Sequence, residues 1–177
     1  MDRPIVITGF MAAGKTSVAQ ALGRLLNCHT IDLDEMITSQ QGRTPKQIID
    51  EDGETQFREI ETDCLRQALL PVTGHVMALG GGAWTIKRNR DLIAEHGGLT
   101  VWLDTPFDLC WERISEGAND RPLAPNEDQA HQLFDERRPI YALAALHVNA
   151  DYKTGVEDLA KRIAADLDRR DQRDQRD

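Results

Sequence analysis

The stretch Gly9-Phe10-Met11-Ala12-Ala13-Gly14-Lys15-Thr16 determines the organisation of this chain. It matches G-x-x-x-x-G-K-[ST], the spacing of a phosphate-binding P-loop. A short apolar run at residues 4–8 precedes it and indicates a buried strand, and residues 17–26 follow it with apolar side chains at helical spacing. Strand, glycine-bounded loop and helix are the context in which this motif binds phosphate. The alternative, a chance glycine turn before a helix, is disfavoured because all four fixed positions are present.

Each residue type in the motif has a physical reason. Glycines leave no Cβ between the backbone amides and a phosphate, so successive N–H groups form a nest at the positive end of a helix dipole. Lys15 is long enough to reach the β- and γ-phosphates of a nucleotide, and the Thr16 hydroxyl suits Mg²⁺. The sequence therefore predicts a nucleotide site formed by Ala12, Ala13, Gly14, Lys15, Thr16 and Ser17.

Composition narrows the function further. The chain has 177 residues, which fits one α/β domain, and its formal net charge of −9 without a basic stripe argues against a nucleic-acid partner. Cys28, Cys64 and Cys110 form no C-x-x-C pair, which predicts free thiols in a reducing cytoplasm. Cys64 and Cys110 lie in apolar patterns with helical spacing, so we expect their side chains to be buried. The sequence shows no signal peptide and no apolar run of transmembrane length, so we expect no membrane association.

Two acids follow the P-loop helix. Residues 30–34 alternate polar and apolar side chains and indicate a second strand, with Asp32 and Asp34 on the same face. Ligands of open parallel sheets bind at the carboxyl ends of the strands, which is where Asp34 falls. It is either a substrate-binding group or the N-cap of a helix that begins at Glu35. The sequence leaves both open.

An arginine lies beside the core face of the next long helix, which begins after Gly53. Arg58 and Glu61 are three residues apart, so they could form a surface ion pair. A guanidinium also binds a carboxylate bidentately, which makes Arg58 a candidate substrate-binding residue. Both interpretations stay open at this point.

A third strand, residues 76–79, runs directly into Gly80, Gly81 and Gly82. Glycine at a strand end permits close backbone approach, and a tight connection seldom needs three in a row. We therefore favour a ligand-facing loop over a merely flexible turn.

The second half of the chain adds two more strands, at residues 99–104 and 146–149. Between them, the polar segment 116–125 carries Arg121 and is predicted to be a lid that excludes water from the reaction.

Helical spacing from residue 126 places Arg137 on an inward face, where it needs an anionic partner. Because Arg138 precedes Pro139, the helix is predicted to end or kink there. The charged residues 168–177 are predicted to form a frayed tail after a single domain of residues 1–167.

The ordered set of these signals resembles the shikimate kinase family, from the first strand to about Leu167. The resemblance is carried by the P-loop and by Asp32-x-Asp34, Phe57-Arg58-x-x-Glu61, Gly80-Gly81-Gly82, Arg121-Pro122-Leu123 and Arg137-x-Pro139-x-Tyr141. It implies a three-layer α/β/α fold with a central five-stranded parallel sheet, as in nucleoside monophosphate kinases. It also implies ATP-dependent phosphorylation of the shikimate 3-hydroxyl, in aromatic amino-acid biosynthesis, by a cytoplasmic monomer.

The resemblance further implies roles for individual residues. Lys15, Asp34 and Arg121 would be catalytic, with Asp34 accepting the proton of the attacking hydroxyl. Mg²⁺ would be held by Thr16 and, through water, by Asp32. The shikimate carboxylate would be bound by Arg58 and Arg137, and its ring hydroxyls by Asp34 and the backbone of Gly80, Gly81 and Gly82. Arg121 would contact the transferring phosphate, and Arg113 and Lys153 would flank adenine.

Three departures from the family pattern produce further expectations. Ala12 stands where glycine is frequent, which is tolerable if its φ is ordinary. Trp84 is bulky and could crowd the pocket, and the segment between Arg113 and Arg121 is one residue longer.

Two other functions remain as alternatives. A related small-metabolite kinase, such as a gluconate kinase, gives no reason for two inward arginines and three glycines. A non-catalytic nucleotide-binding regulator would predict a damaged site, whereas Lys15, Thr16, Asp32 and Asp34 are intact.

Overall fold

A computed structural model describes residues 3–70, 74–116 and 126–174, the last four of these without their side chains. Its centre is a parallel sheet, whose strands are β1 (Ile5–Thr8), β2 (His29–Asp32), β3 (His75–Ala78), β4 (Leu99–Asp104) and β5 (Leu146–Asn149). The strands lie in the order β2-β3-β1-β4-β5. The middle strand, β1, is a β-branched run that is buried along its whole length, as expected for a strand covered on both faces. The predicted five-stranded parallel sheet is confirmed.

The helices form layers on both faces of this sheet. They are α1 (Lys15–Leu26), α2 (Leu33–Gln41), α3 (Pro45–Asp52), α4 (Glu54–Ala68), α5 (Lys87–Glu95), α6 (Phe107–Glu116), α7 (Glu127–Tyr141) and α8 (Val156–Asp174), with a short 3-10 helix at Ala83–Thr85. The connection from β1 to β2 runs toward one edge of the sheet, and the connections from β2 through β5 run toward the other edge. Because crossovers between parallel strands are right-handed, α1 lies on one face of the sheet and the helices between β2 and β5 lie on the other. The last helix, α8, packs against α1.

This reversal of direction opens a crevice between β1 and β3. In doubly wound sheets such a switch point is where ligands bind, because the two loops leave toward opposite faces. Here the loop after β1 is the P-loop, and the loop after β3 contains the three glycines. The topology therefore brings together the two glycine-rich stretches that the sequence singled out.

Of the helix end or kink predicted at Arg138, the end does not occur there and the kink stays a prediction. The α7 helix passes through Pro139 and ends at Tyr141. A proline this near the end of a helix removes one hydrogen bond, and two interactions hold the last turn in place. The Ala142 amide donates to the Arg138 carbonyl at 3.1 Å. The Trp84 Nε1–H donates to the Ile140 carbonyl at 2.9 Å.

The predicted tail also begins too early. Helix α8 continues as far as Asp174, well past Leu167. Its inward side chains, including Leu167, are buried, and Arg170 Nη2 donates to the Ala145 carbonyl at 2.6 Å. These contacts outweigh the fraying expected from a charged composition. Among the helices described, none has the length and apolarity that a membrane span requires.

Candidate active site

A cavity of about 550 Å³ lies at the carboxyl ends of β1 and β3. Residues from four predicted parts of the site share it: the P-loop, the two acids, the glycine triplet and Arg113. The lining residues are Met11, Ala12, Gly14, Lys15, Thr16, Ser17, Asp32, Asp34, Leu79, Gly81, Arg113 and Val156. The structure thus brings together most of the predicted nucleotide-binding residues and both acids.

The P-loop contains a strained residue. Gly9 and Gly14 have φ values of 146° and 98°, which suit glycine, but Ala12 also has a positive φ, of 57°. The expectation of an ordinary φ for Ala12 is therefore wrong. The left-handed region costs a residue with a Cβ about 1–2 kcal/mol. Arg113 Nη1 donates to the Ala12 carbonyl at 3.1 Å and fixes this part of the loop.

The Lys15 ammonium is held inside the loop rather than in solvent. Only 9% of the residue is exposed, and Nζ donates to the Phe10 carbonyl at 2.8 Å. A lysine bonded across the loop points its charge at the concave side of the nest, where phosphates would lie.

The side-chain oxygens of Thr16 and Asp32 lie together next to the P-loop lysine. The Thr16 hydroxyl donates to Asp32 Oδ2 at 2.6 Å. The other carboxylate oxygen of Asp32 accepts from the amides of Asp34 and Glu35, at 2.9 and 3.2 Å. Asp32 is therefore the N-cap of α2, and the alternative that Asp34 caps this helix is wrong. The second strand ends earlier than its alternating pattern suggested, because this cap starts the helix at Leu33.

These oxygens fit Mg²⁺, which prefers hard ligands and usually retains several waters. Among the described residues, no group of three or more His, Cys, Asp or Glu side chains could hold a metal. A magnesium ion at this place would therefore depend on nucleotide phosphates and water for most of its ligands.

Charged side chains of the site lie close to the glycine triplet. A Cβ on Gly80 would lie 2.7 Å from Asp34 Oδ1 and 3.1 Å from Glu61 Oε1. A Cβ on Gly82 would lie 2.4 Å from Arg58 Nη2. Charged side chains of α2 and α4 thus approach the backbone of this loop closely, and the expectation that the loop faces a ligand stays a prediction.

Arg58 forms the predicted ion pair and a second one. Its Nη1 donates to Glu61 Oε2 at 2.8 Å, and its Nη2 donates to Glu54 Oε1 at 2.9 Å. The Glu61 side chain is only 1% exposed, while that of Glu54 is 49% exposed. Glu54 had no predicted role, although its place four residues before Arg58 on a helix is a standard ion-pair spacing.

Glu61 lies at the centre of the charged groups. Burial raises the pKa of its carboxyl to about 7, which the nearby Arg58 and Arg137 charges oppose and the Asp34 charge reinforces. Its Oε1 atom is buried and has no hydrogen-bond partner among the described residues. Arg58 and Arg137, which are far apart in sequence, thus converge on the same buried carboxyl beside Asp34.

Arg137 is buried in α7, as the helical spacing predicted. It lies beside Tyr141, whose pKa is raised to about 12 by burial, an effect that the Arg137 charge partly offsets. The Tyr141 hydroxyl donates to the Gly81 carbonyl at 2.5 Å. Tyr141 therefore links the helix that carries Arg137 to the glycine loop, a role that its sequence position alone did not reveal.

Trp84 does not crowd the cavity. It is 4% exposed, lies outside the cavity lining and donates its indole N–H to α7. The expectation of crowding is therefore wrong, because the ring packs under the helix instead of into the pocket.

Several predicted site residues lie outside the lining of this cavity, namely Ala13, Arg58, Gly80, Gly82, Arg137 and Lys153. The Lys153 side chain is exposed and outside the lining, and its backbone amide donates to Asp151 Oδ1 at 2.9 Å. Arg121 and residues 117–125 of the predicted lid lie outside the described residues. Their roles stay predictions.

The raised pKa of Glu61 predicts a pH-dependent stability. The carboxyl keeps its proton up to about pH 7 in the folded protein and loses it near 4.5 when unfolded. The unfolded state therefore binds fewer protons between these values, and the free energy of unfolding should fall as the pH rises from 5 to 7. The Glu61→Gln variant should lack this decline.

Denaturant unfolding of both proteins at several pH values measures this difference. Glu59→Gln on the same helix is the matched control, because Glu59 forms only an exposed pair with Arg88 at 3.0 Å. A parallel pH dependence in the parent protein and Glu61→Gln would show that Glu61 titrates normally in the folded state.

Comparison with known proteins is consistent with this geometry. The chain matches the family model described as shikimate kinase over residues 11–168. This chain belongs to the shikimate kinase family. A protein named shikimate kinase from Cereibacter sphaeroides is 39% identical over 166 residues, which cover 92% of this chain and 81% of that protein. The chain is thus an enzyme of this family, a phosphotransferase that uses ATP as its co-substrate.

Solved structures agree with the family assignment. The shikimate kinase from Acinetobacter baumannii in complex with shikimate has a TM-score of 0.86 and 31% identity, covering 93% of this chain and 92% of that one. A gluconokinase from Sinorhizobium meliloti, at 16% identity and a TM-score of 0.66, shares the fold alone. The gluconate kinase and regulator alternatives are therefore not favoured.

Proposed function

We propose that this member of the shikimate kinase family transfers the γ-phosphoryl group of ATP to the 3-hydroxyl of shikimate. The observation that carries the proposal is that Arg58 and Arg137 both act on the buried Glu61 carboxyl near Asp34, where Arg58, Glu61 and Asp34 lie against the glycine loop. A rigid ring with one carboxylate and several hydroxyls offers this arrangement an anion for the arginines and an alcohol for Asp34. A flexible polyhydroxylated acid would not need such a fixed set of groups.

The nucleotide half of the site consists of the P-loop. Ala12, Ala13, Gly14 and Ser17 would present backbone amides to the phosphates, and Lys15 would neutralise charge on the β- and γ-phosphates. Thr16 would hold Mg²⁺ directly and Asp32 would orient its water ligands. Held by these residues, the ion would supply positive charge that offsets part of the charge on the phosphates.

The substrate half of the site positions the attacking alcohol. The carboxylate of shikimate would pair with Arg58 and Arg137, and Gly80, Gly81 and Gly82 would face its ring. Asp34 would accept the proton of the 3-hydroxyl while that oxygen forms a bond to the γ-phosphorus and the bond to ADP breaks. Catalysis of this kind is mainly positioning and charge neutralisation. Arg121 would stabilise the transferred group, and Arg113 and Lys153 would flank adenine.

The wider setting follows from the same proposal. We infer one catalytic domain, which includes α8 beyond Leu167, that acts as a cytoplasmic monomer in the pathway that leads to aromatic amino acids. The cysteines support a reducing compartment, since all three are free thiols and two of them, Cys64 and Cys110, are buried. The charge of −9 supports small-molecule rather than nucleic-acid partners.

A coupled ADP-release assay across shikimate, gluconate and nucleoside monophosphates tests the proposal. We expect ADP release with shikimate and Mg²⁺-ATP, and a phosphate monoester on the ring in the ³¹P NMR spectrum of the product. Omission of Mg²⁺ should abolish turnover. Turnover of gluconate in preference to shikimate would overturn the substrate assignment and leave the kinase assignment intact.

A further inference from the structure

The guanidinium of Arg58 is covered on several sides. Its face lies over the ring of Phe57, with Cζ 5.1 Å from the centroid, and Nη1 is bonded to the buried Glu61. Its outer end points at Gly82, where a Cβ would lie 2.4 Å from Nη2 and 2.7 Å from Nη1. The remaining edge, formed by Nε and Nη2, is the one suited to a side-on carboxylate.

Glu54 already occupies this edge. Its Oε1 accepts from Nε at 3.2 Å and from Nη2 at 2.9 Å. A carboxylate ligand that is to pair with Arg58 along the same edge must therefore displace a carboxylate of the protein itself. The exchange would conserve charge, since one anion leaves the guanidinium as another arrives.

Glu54 and Glu61 differ in how readily each carboxylate can separate from the Arg58 guanidinium. The Glu61 side chain is 1% exposed, and a charge left there without its partner would be expensive. The Glu54 side chain is 49% exposed and is the first residue of α4, so a released carboxylate would enter water near the positive end of that helix. Glu54 is therefore the exchangeable partner and Glu61 the permanent one.

From this geometry we propose that Glu54 is an internal competitor that holds the carboxylate-binding edge of Arg58 until the substrate carboxylate displaces it. The inference rests on the proposed function, because it names shikimate as the displacing ligand. Glu54 thereby sets the substrate affinity without contacting the reacting atoms. Its contribution is limited to that of an exposed ion pair, which corresponds to a change of about two- to five-fold in affinity.

Titration calorimetry of shikimate binding to the parent protein, Glu54→Gln and Glu59→Gln tests this proposal. Glu54→Gln should bind shikimate about two- to five-fold more tightly, and its KM for shikimate should fall by a similar factor while its KM for ATP is unchanged. Glu59→Gln, which removes an exposed pair with Arg88 on the same helix, should bind as the parent does. In an Arg58→Ala background, Glu54→Gln should have no effect on affinity.

The outcomes are distinguishable. Equal or weaker shikimate binding by Glu54→Gln would overturn the inference and show that Glu54 only supports Arg58, while shikimate binding and turnover by the parent would preserve the proposed function. A gain in affinity that persists without Arg58 would also overturn it. If none of the three proteins binds shikimate, the proposed function and the inference fall together.

Discussion

Replacing Lys15 by Ala should lower kcat by about 10³-fold, in line with the loss of one preorganised group that stabilises charge in the transition state. The structure supports this magnitude, because Lys15 is 9% exposed and bonded to the Phe10 carbonyl, so its ammonium is positioned before any ligand arrives. Such a group needs little reorganisation during the reaction. Steady-state turnover with saturating Mg²⁺-ATP and shikimate measures the effect.

Two measurements separate this effect from damage to the fold. Thermal unfolding of Lys15→Ala should show a folded protein, since the P-loop backbone is also fixed by the Arg113 bond to Ala12. Lys87→Ala is the matched control, because that lysine is exposed, pairs with Asp91 on the same helix and lies outside the cavity lining. Turnover of Lys15→Ala equal to that of the parent would remove the nucleotide assignment of this loop.

Local patterns predicted most of the fold. The β-branched run of β1, the glycine spacing and the strand at Leu99–Asp104 each have a short-range signal that tertiary structure did not override. The errors occur where particular hydrogen bonds override the local sequence pattern. Asp32 bonds two amides and starts α2 early, while the contacts of Trp84 and Ala142 keep α7 helical past Pro139.

The candidate site was predictable in residue type and not in arrangement. The inward stripe of α7 was sufficient to place Arg137, whereas a spacing of three residues could not reveal that Glu61 is buried and Glu54 exposed. That difference depends on the glycine loop covering one side of α4, which is a contact between distant parts of the chain. The positive φ of Ala12 likewise reflects the closed loop rather than the preference of alanine.

The arginine at position 137 should control the affinity for shikimate. Charge-assisted hydrogen bonds are worth roughly 1.5–3 kcal/mol each, so Arg137→Ala should raise the KM for shikimate by about 10- to 100-fold. The KM for ATP should change little, because Arg137 is absent from the lining of the P-loop cavity. Arg137→Lys should recover only part of the loss, since an ammonium lacks the planar fork that binds a carboxylate bidentately.

The next residue along the helix provides the control. Arg138 is exposed and pairs with Asp104 at 3.2 Å, so Arg138→Ala should leave both Michaelis constants near those of the parent. Because the Arg137 charge also stabilises the Glu61 carboxylate, its removal should lower the free energy of unfolding, which denaturant titration records separately from binding. A loss of stability without a change in the KM for shikimate would assign Arg137 to the fold alone.

Asp34→Asn should lower kcat and change the KM for shikimate little, which is the opposite of the pattern expected for Arg137→Ala. The two variants together separate substrate binding from the chemical step. The asparagine amide keeps the shape of the carboxylate and one acceptor oxygen, so the KM for shikimate should rise only a few-fold. It cannot take the hydroxyl proton, and general-base catalysis contributes about 10²–10⁴-fold, so kcat should fall within that range. A variant that raises KM at constant kcat has lost binding shared by the ground and transition states, whereas one that lowers kcat has lost an interaction made during the reaction. If Asp34→Asn instead raises KM and leaves kcat intact, Asp34 binds a ring hydroxyl and the proton leaves by another route.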